Sequence, residues 1–103
     1  MPAQLLRALA DPTRRAVFER IARAEMTVSQ VRKAFAISQP AISQHLAALK
    51  RAGLVRQRRQ GRFTYYRAEP GGLQPLMAWI ARYRAFWPER IAELQLMLRE
   101  LEE

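Results

Sequence analysis

The feature of this sequence that most constrains its fold is a pair of predicted short helices joined by a tight connection. Residues 27–30, TVSQ, form a capping-box pattern, in which the threonine hydroxyl and the glutamine side chain satisfy free backbone donors at the start of a helix. Ser38 is typical of the N-cap of a second helix, and Gly53 marks its end. Because only residues 36–37 separate the two helices, the chain must turn sharply there. Residues 27–52 therefore form a helix-turn-helix pattern.

The second of these helices has one apolar face and one small, polar face. Ile42, Leu46 and Leu49 recur at i, i+4 and i+7, so we expect them to face the core. At about 100° per residue, the opposite side carries Pro40, Gln44, Ala47 and Arg51, flanked by Ser43 and Ala48. This outward side is small and polar toward its N-terminal end, which suits contact with another molecule.

The N-terminal residues predict two more helices. Leu5, Leu6 and Leu9 give a short apolar helix, which ends where Asp11 caps the next helix with Pro12 at its first position. A signal peptide needs an apolar run of about 7 to 15 residues and a membrane helix about 20, and the run here is too short and too interrupted for either. We therefore expect a cytoplasmic protein with no membrane partner.

After Gly53 the pattern changes to that of a β-hairpin. The segments LVRQRRQ and RFTYYRA flank Gln60-Gly61, and the second segment is rich in β-branched and aromatic residues. Tyr65 and Tyr66 cannot both face outward at strand spacing, so at least one must lie in the core. Helix, turn, helix and basic hairpin in this order predict a winged helix-turn-helix. The fold class is mainly α with a small β-hairpin, in the order α-α-α-α-β-β-α.

The last third of the chain carries a long apolar seam. Two series of residues spaced by seven, one through Met77 and one through Leu73, give a nearly complete a/d pattern. The helix could fold back on its own domain, but a small winged domain cannot cover so much apolar surface, so we expect a dimer interface. Its predicted residues are Leu5, Leu6, Leu9, Leu73, Met77, Ile80, Tyr83, Trp87, Ile91, Leu94 and Leu98. Pro88 would kink this helix or begin a new segment.

Basic residues dominate the first two thirds of the chain. The net charge is +9, and between Lys50 and Arg67 there are seven basic residues and no acid. A run of like charge can simply be a solvated surface, but clustered Lys and Arg also gain free energy by releasing counterions from phosphates. A polyanion is therefore the leading candidate partner.

Together these motifs resemble the ArsR/SmtB family of bacterial winged-helix transcriptional repressors. The resemblance covers about residues 5–100 and is carried by LADPTRRAVF, TVSQVRKAFAISQPAISQHLAALKRAGLV, RRQGRFTYYRA and the terminal YRAFW. It implies one domain over residues 1–103, with the helix-turn-helix at about 27–52, a wing at about 54–68 and a C-terminal dimerisation helix at about 72–102. It also implies a homodimer that binds operator DNA near its own promoter, represses, and releases the DNA when a signal arrives.

The resemblance makes the helix that begins after Ser38 a recognition helix. Ser43 and Gln44 can hydrogen-bond base edges, and arginines at the wing tip can follow the backbone or the minor groove. The predicted DNA-binding residues are Ser38, Gln39, Pro40, Ser43, Gln44, His45, Arg51, Arg58, Arg59 and Arg62. His45 lies beside the core stripe of the helix, so it is either a packing residue or a phosphate contact.

Other chemistries find little support in the sequence. Metal-sensing relatives place paired cysteines in the third helix, or Asp and His ligands on the terminal helix. This chain has no cysteine, its one histidine is His45, and Glu89 with Glu93 is a poor zinc set. We therefore expect no metal and no cofactor, and the sequence names no inducer. No nucleophile lies beside a base and no phosphate loop is present, so we expect no enzyme. The alternative is a winged helix that binds RNA or another protein.

Overall fold

The computed structural model describes residues 2–84 and 88–102, which form a winged helix-turn-helix. The predicted fold class and order of elements are confirmed. In chain order the elements are α1 (Ala3–Ala10), α2 (Pro12–Arg23), β1 (Met26–Thr27), α3 (Val28–Phe35), α4 (Gln39–Arg51), β2 (Val55–Gln60), β3 (Phe63–Ala68), α5 (Gln74–Arg84) and α6 (Pro88–Glu102). No helix within the described residues is long and apolar enough to cross a membrane.

The sheet has one strand more than the predicted hairpin. β1 pairs with the free edge of β3, with Met26 opposite Tyr66 and Thr27 opposite Tyr65, so the strand order is β1-β3-β2 and every pairing is antiparallel. The second residue of β1, Thr27, is also the N-cap of α3, where the backbone is extended. This pairing satisfies backbone groups that a two-residue segment could not satisfy within itself.

The core lies between the helices and one face of the sheet. Ile42, Leu46 and Leu49 of α4 are fully buried, which confirms the predicted inward face of that helix. They pack with buried residues of α1, α2, α3 and the start of β2, namely Leu5, Ala8, Val17, Ile21, Val31, Leu54 and Val55. Tyr66 packs against this cluster, so the expectation that one of the two tyrosines belongs to the core is confirmed.

Local hydrogen bonds fix the ends of the helices that frame the turn. The capping box is present, since Thr27 Oγ1 accepts from the Gln30 backbone N–H and the Gln30 side chain accepts from the Thr27 N–H. Ser38 Oγ accepts from the Ala41 N–H at 3.3 Å and caps α4. Between these helices Ala36 adopts φ 52°, a left-handed conformation that costs a non-glycine residue about 1–2 kcal/mol. The sharp turn predicted at residues 36–37 is therefore made by an alanine.

Two glycines shape the turns that follow α4. Gly53 has φ +77° and ends α4 with its N–H donating to the Lys50 carbonyl at 3.0 Å, while the Leu54 N–H donates to the Leu49 carbonyl at 3.0 Å. Gly61 has φ +61° at the first position of the two-residue turn between Gln60 and Phe63, where a type II′ turn requires glycine.

α5 leaves the core soon after it begins. The chain enters it through Gly72, and Leu73 and Leu76 pack against the core as half-buried side chains. Farther along, Met77 is 61% exposed and Ile80 is 52% exposed. The side chains of α6 whose surroundings are described are all exposed. The C-terminal helices therefore do not fold back onto the domain of this protomer.

Candidate nucleic-acid interface

The outward face of α4 presents short polar side chains on a rigid support. Gln39, Pro40, Ser43 and Gln44 are all exposed, as is the capping residue Ser38. The opposite face of the same helix is fully buried, so packing fixes the orientation of the outward side chains. Ser and Gln side chains can both donate to and accept from base edges in the major groove. The geometry of α4 therefore suits insertion into a groove lined with hydrogen-bonding groups.

A groove lies between this face and the tip of the hairpin. It has a volume of about 310 Å³, and Ser29, Arg32, Gln39, Arg62 and Thr64 contribute polar groups to its lining. Arg32 Nη1 donates to Gln39 Oε1 at 3.3 Å, so the Gln39 side chain is held from α3. Two arginines and three hydroxyl-bearing residues, Thr27, Ser29 and Thr64, line this groove, which makes it suitable for a phosphate group.

Arg32 is a candidate that the sequence analysis missed. It is exposed on α3, at the border of the apolar stripe that contains the buried Val31. Its exposure could have been inferred from the apolar stripe of α3. Its contact with Gln39 could not, because that contact depends on the angle at which α3 and α4 meet.

The contact of Arg58 with DNA stays a prediction, and this residue already has partners within the folded chain. It lies within β2 opposite Tyr65, and its Nε donates to Glu25 Oε1 at 2.9 Å. Its guanidinium also lies over the Tyr65 ring, 4.8 Å from the centroid, and donates to Gln60 Oε1. Strand alternation places Arg58 on the sheet face away from the helices, next to the residue that precedes β1. Arg58 therefore holds the sheet together as well as carrying charge.

The contact between Glu25 and Arg58 also shifts the pKa of both groups. The hydrogen bond from Arg58 holds the pKa of the Glu25 carboxyl below its usual range, with the charges of Arg58 and Arg67 acting in the same direction. The same bond raises the pKa of the Arg58 guanidinium. Both groups thus keep their charge, and the local charge of the pair is close to zero.

The tip itself carries Arg59 and Arg62. Arg59 lies opposite Thr64 and, by strand alternation, on the same side of the sheet as Tyr66, which faces the helices. It is exposed because β2 extends beyond the edge of the core. Arg62 is exposed in the turn beside Phe63, which is 57% exposed. Neither arginine makes an ion pair among the described residues, so both are available to an anion.

His45 contacts α2. Arg14 Nε donates to His45 Nδ1 at 3.4 Å, and both side chains are half-buried. This contact agrees with the packing role that is one of its two predicted alternatives, and the phosphate contact stays a prediction. Arg51 lies at the end of α4, is exposed, and shares the outward face with Gln44.

A second surface, on α5 and α6, is apolar and exposed. Leu94 is 58% exposed and Leu98 is 52% exposed, and Met77, Ile80 and Tyr83 are exposed on α5. Other exposed apolar side chains of α6 are Leu96, Met97 and Leu101. Trp87 and the side chain of Ile91 lie outside the described residues.

Some residues predicted for a dimer surface lie in or against the core of this protomer. Leu5 is only 4% exposed and belongs to the buried cluster, and Leu73 packs against it as a half-buried side chain. The reason is that α1 lies flat on α2 and α4, and the start of α5 lies beside the turn after α4. Leu6 and Leu9, both half-buried, keep surface that a partner could cover.

No cluster of three or more His, Cys, Asp or Glu side chains that could hold a metal ion occurs within residues 2–84 and 88–102. Two of the described acidic residues instead form ion pairs with arginines, Glu25 with Arg58 and Glu69 with Arg56.

Known proteins share this arrangement of elements. Residues 9–58 match a family model described as a helix-turn-helix domain. The chain is 40% identical over 82 residues to the HTH-type transcriptional regulator Rv2034 of Mycobacterium tuberculosis, covering 80% of this chain and 77% of that protein. It is 34% identical over 79 residues to the transcriptional repressor SdpR of Bacillus subtilis, covering 77% of this chain and 88% of that protein.

Solved structures show the same likeness in three dimensions. One is the homodimeric winged helix-turn-helix DNA-binding domain of Mb0332 from Mycobacterium bovis, described as a possible ArsR-family transcriptional regulator. It is 30% identical to this chain with a TM-score of 0.66, and the match covers 84% of this chain and 79% of that one.

Proposed function

Because the chain belongs to the ArsR/SmtB family of winged-helix transcriptional regulators, we propose that it is a homodimeric repressor of an inverted-repeat operator in double-stranded DNA. Proteins of this family are DNA-binding regulators and not enzymes. The observation that carries the proposal is the exposed Ser43 and Gln44 pair on a helix whose other face is fully buried. Such a helix can enter the major groove without changing its own packing.

The apolar surface of α5 and α6 supports a homodimer. Several large side chains there are more than half exposed, which is unfavourable for a protein that stays monomeric in water. The solved relative from Mycobacterium bovis is described as homodimeric. A two-fold dimer would place two copies of α4 about one DNA turn, or about 34 Å, apart, which matches an inverted repeat. Because operator DNA lies in the bacterial cytoplasm, we place the protein there.

Selection of bound fragments from a random duplex pool tests this function directly. The expected result is an enriched inverted repeat with half-site centres about 10 base pairs apart. Enrichment of a matched RNA pool, with no duplex motif, would favour the RNA-binding alternative instead. A reporter gene placed behind the enriched motif should then lose expression when the protein is produced. Increased expression would contradict repression while leaving operator binding intact.

The roles of α4 and the wing can be separated by two variants. Gln44→Ala should relax base preference at a cost of about 1–3 kcal/mol on the best sequence, with little change on unrelated DNA. Arg59→Gln should weaken binding to all sequences alike and reduce the salt dependence, because it removes a phosphate contact. Both affinities are measured by fluorescence anisotropy at several salt concentrations. Equal losses on both kinds of DNA for both variants would mean that the two surfaces have been wrongly assigned.

We further propose that no metal ion regulates this repressor. The described residues place no set of ligands around a common point, and the chain has no cysteine thiolate for a soft metal. Stoichiometric Zn²⁺, Ni²⁺ or Cd²⁺ should therefore leave the affinity for the selected DNA unchanged in a gel-shift titration. A tenfold loss of affinity at one metal per protomer, reversed by a chelator, would contradict this.

A further inference from the structure

We propose that Arg7, Arg14 and Arg51 form a phosphate-binding site beside the outward face of α4, and that its ligand is a phosphodiester of the DNA strand bordering the groove. The DNA source of the phosphate rests on the proposed function, whereas the phosphate chemistry of the site does not. Arg51 comes from the last turn of α4, whereas Arg7 and Arg14 come from α1 and α2, outside the helix-turn-helix and the wing.

The site is a cleft where α1, α2 and α4 meet. It has a volume of about 430 Å³ and is lined by Gln4, Arg7, Ala8, Arg14, Ala48 and Arg51. Ala8 is 3% exposed and Ala48 is half-buried. Because both side chains are a single methyl group, the helices leave space between them. The longer arginine side chains also line this space.

The cleft is positively charged and is therefore suited to bind an anion. Three guanidinium groups line it and no carboxylate does. Among the described residues, none of the three makes an ion pair; the pairs that do form involve Arg56 and Arg58. Asp11 is near, but its carboxylate accepts from the Arg14 backbone N–H at 2.9 Å as the cap of α2. That hydrogen bond, together with the charge of Arg14, lowers the pKa of Asp11.

Two of the arginines are held in a way that leaves their terminal groups available. Arg14 Nε donates to His45 Nδ1 at 3.4 Å, and Arg7 Nε donates to the Ala3 carbonyl at 3.4 Å. A guanidinium has five N–H donors, so anchoring Nε leaves the four terminal donors for an oxyanion. His45 acts here as a positioning residue for Arg14.

The place of the cleft on α4 favours DNA as the source of the phosphate. Arg51 follows Gln44 by seven residues on the same helix face, which puts it about 10 Å farther along the helix axis. The major groove is about 12 Å wide, so a helix whose N-terminal half reads bases brings its last turn to the bordering strand. A small phosphorylated molecule would satisfy the same chemistry. Arg51, however, lies on the outward face of α4, which is the face that we propose contacts DNA.

The decisive experiment compares neighbouring cations of the full-length chain. The variants are Arg51→Gln, Arg14→Gln and, as the matched control, Lys50→Gln, which removes the same charge from the exposed residue next to Arg51. Affinity for a random-sequence duplex is measured between about 50 and 200 mM salt, where the slope of log K against log salt counts neutralised phosphates. Circular dichroism confirms that each variant is folded.

We expect Arg51→Gln and Arg14→Gln each to flatten the slope by about 0.9, and Lys50→Gln to leave it unchanged. In a second arm, inorganic pyrophosphate is added to the free protein at constant ionic strength while the arginine Nε–H resonances are followed by NMR. If the salt slopes do not change but pyrophosphate shifts the Nε–H resonances of the three arginines, the cleft binds phosphate. The proposal that this phosphate belongs to DNA is then overturned. If neither arm responds, the site itself is overturned.

The two proposals fail in different ways. A wild-type protein that binds no duplex at all would contradict the proposed function, and the pyrophosphate arm would still decide whether the cleft binds phosphate. Wild-type binding with equal slopes for Arg51→Gln and Lys50→Gln, and no response to pyrophosphate, would leave the proposed function intact and remove only this site.

Discussion

Replacing Gly72 by alanine is expected to lower the free energy of unfolding by about 2 kcal/mol, since overpacking a rigid contact typically costs about 1–3 kcal/mol. A Cβ at this position would lie 2.5 Å from the Gly53 carbonyl oxygen and 3.1 Å from the Leu54 Cα. Both are backbone atoms in the turn that ends α4, so no side chain can move aside. The Gly72 N–H also donates to the Glu69 carbonyl at 3.0 Å, which holds the residue in place.

The neighbouring glycine supplies the control. A Cβ at Gly71 would meet nothing within 4 Å, so Gly71→Ala should be neutral or stabilise by a few tenths of a kcal/mol. Urea denaturation at one fixed protein concentration measures both variants, because the stability of an oligomer depends on concentration. Equal stability of the two variants would show that the start of α5 can move away from the α4 turn at little cost.

Replacing Leu94 by glutamate is expected to weaken the proposed dimer by about 100-fold, or about 3 kcal/mol. In a two-fold interface the substitution occurs twice, so two carboxylates would be placed in an apolar contact without a partner. Dimers bind both half-sites at once, so the affinity for the selected operator should fall as well. Sedimentation at micromolar concentration measures the first effect and anisotropy the second.

Leu96 is a matched control for this substitution. Both side chains are 58% exposed on α6, but two positions along a helix point in nearly opposite directions. Leu94 belongs to the seven-residue series and Leu96 does not, so Leu96→Glu should leave the dimer largely intact. A dimer that tolerates Leu94→Glu but not Leu96→Glu would place the interface on the other side of α6.

The sequence correctly predicted those features of the fold that depend on residues close together in the chain. The capping box at Thr27 and Gln30, the cap at Ser38 and the buried face of α4 are all found as predicted. Each depends on residues within one or two helical turns, so spacing alone determines which atoms meet. The family resemblance rests on the same local motifs, which explains why the fold class could be predicted.

Contacts between distant segments could not be predicted in this way. Arg58 and Glu25 are 33 residues apart, and their pairing depends on β1 joining the sheet, which two residues of sequence do not indicate. Arg14 and His45 are 31 residues apart and meet only because α2 packs across α4. The sequence predicts Leu5 at the dimer interface, whereas the structure buries it in the core of its own chain. An apolar helix of eight residues does not indicate which neighbour covers it.

The ion pairs of the wing have a consequence for how strongly salt should affect this protein. Of the seven cations from Lys50 to Arg67, Arg56 and Arg58 already have a carboxylate beside them in the folded chain. A cation that already has a carboxylate partner in the protein gains less from contacting a DNA phosphate, so Arg56 and Arg58 should add little to the entropy of counterion release. The salt sensitivity of DNA binding by this protein should therefore be smaller than its count of 18 Lys and Arg residues suggests.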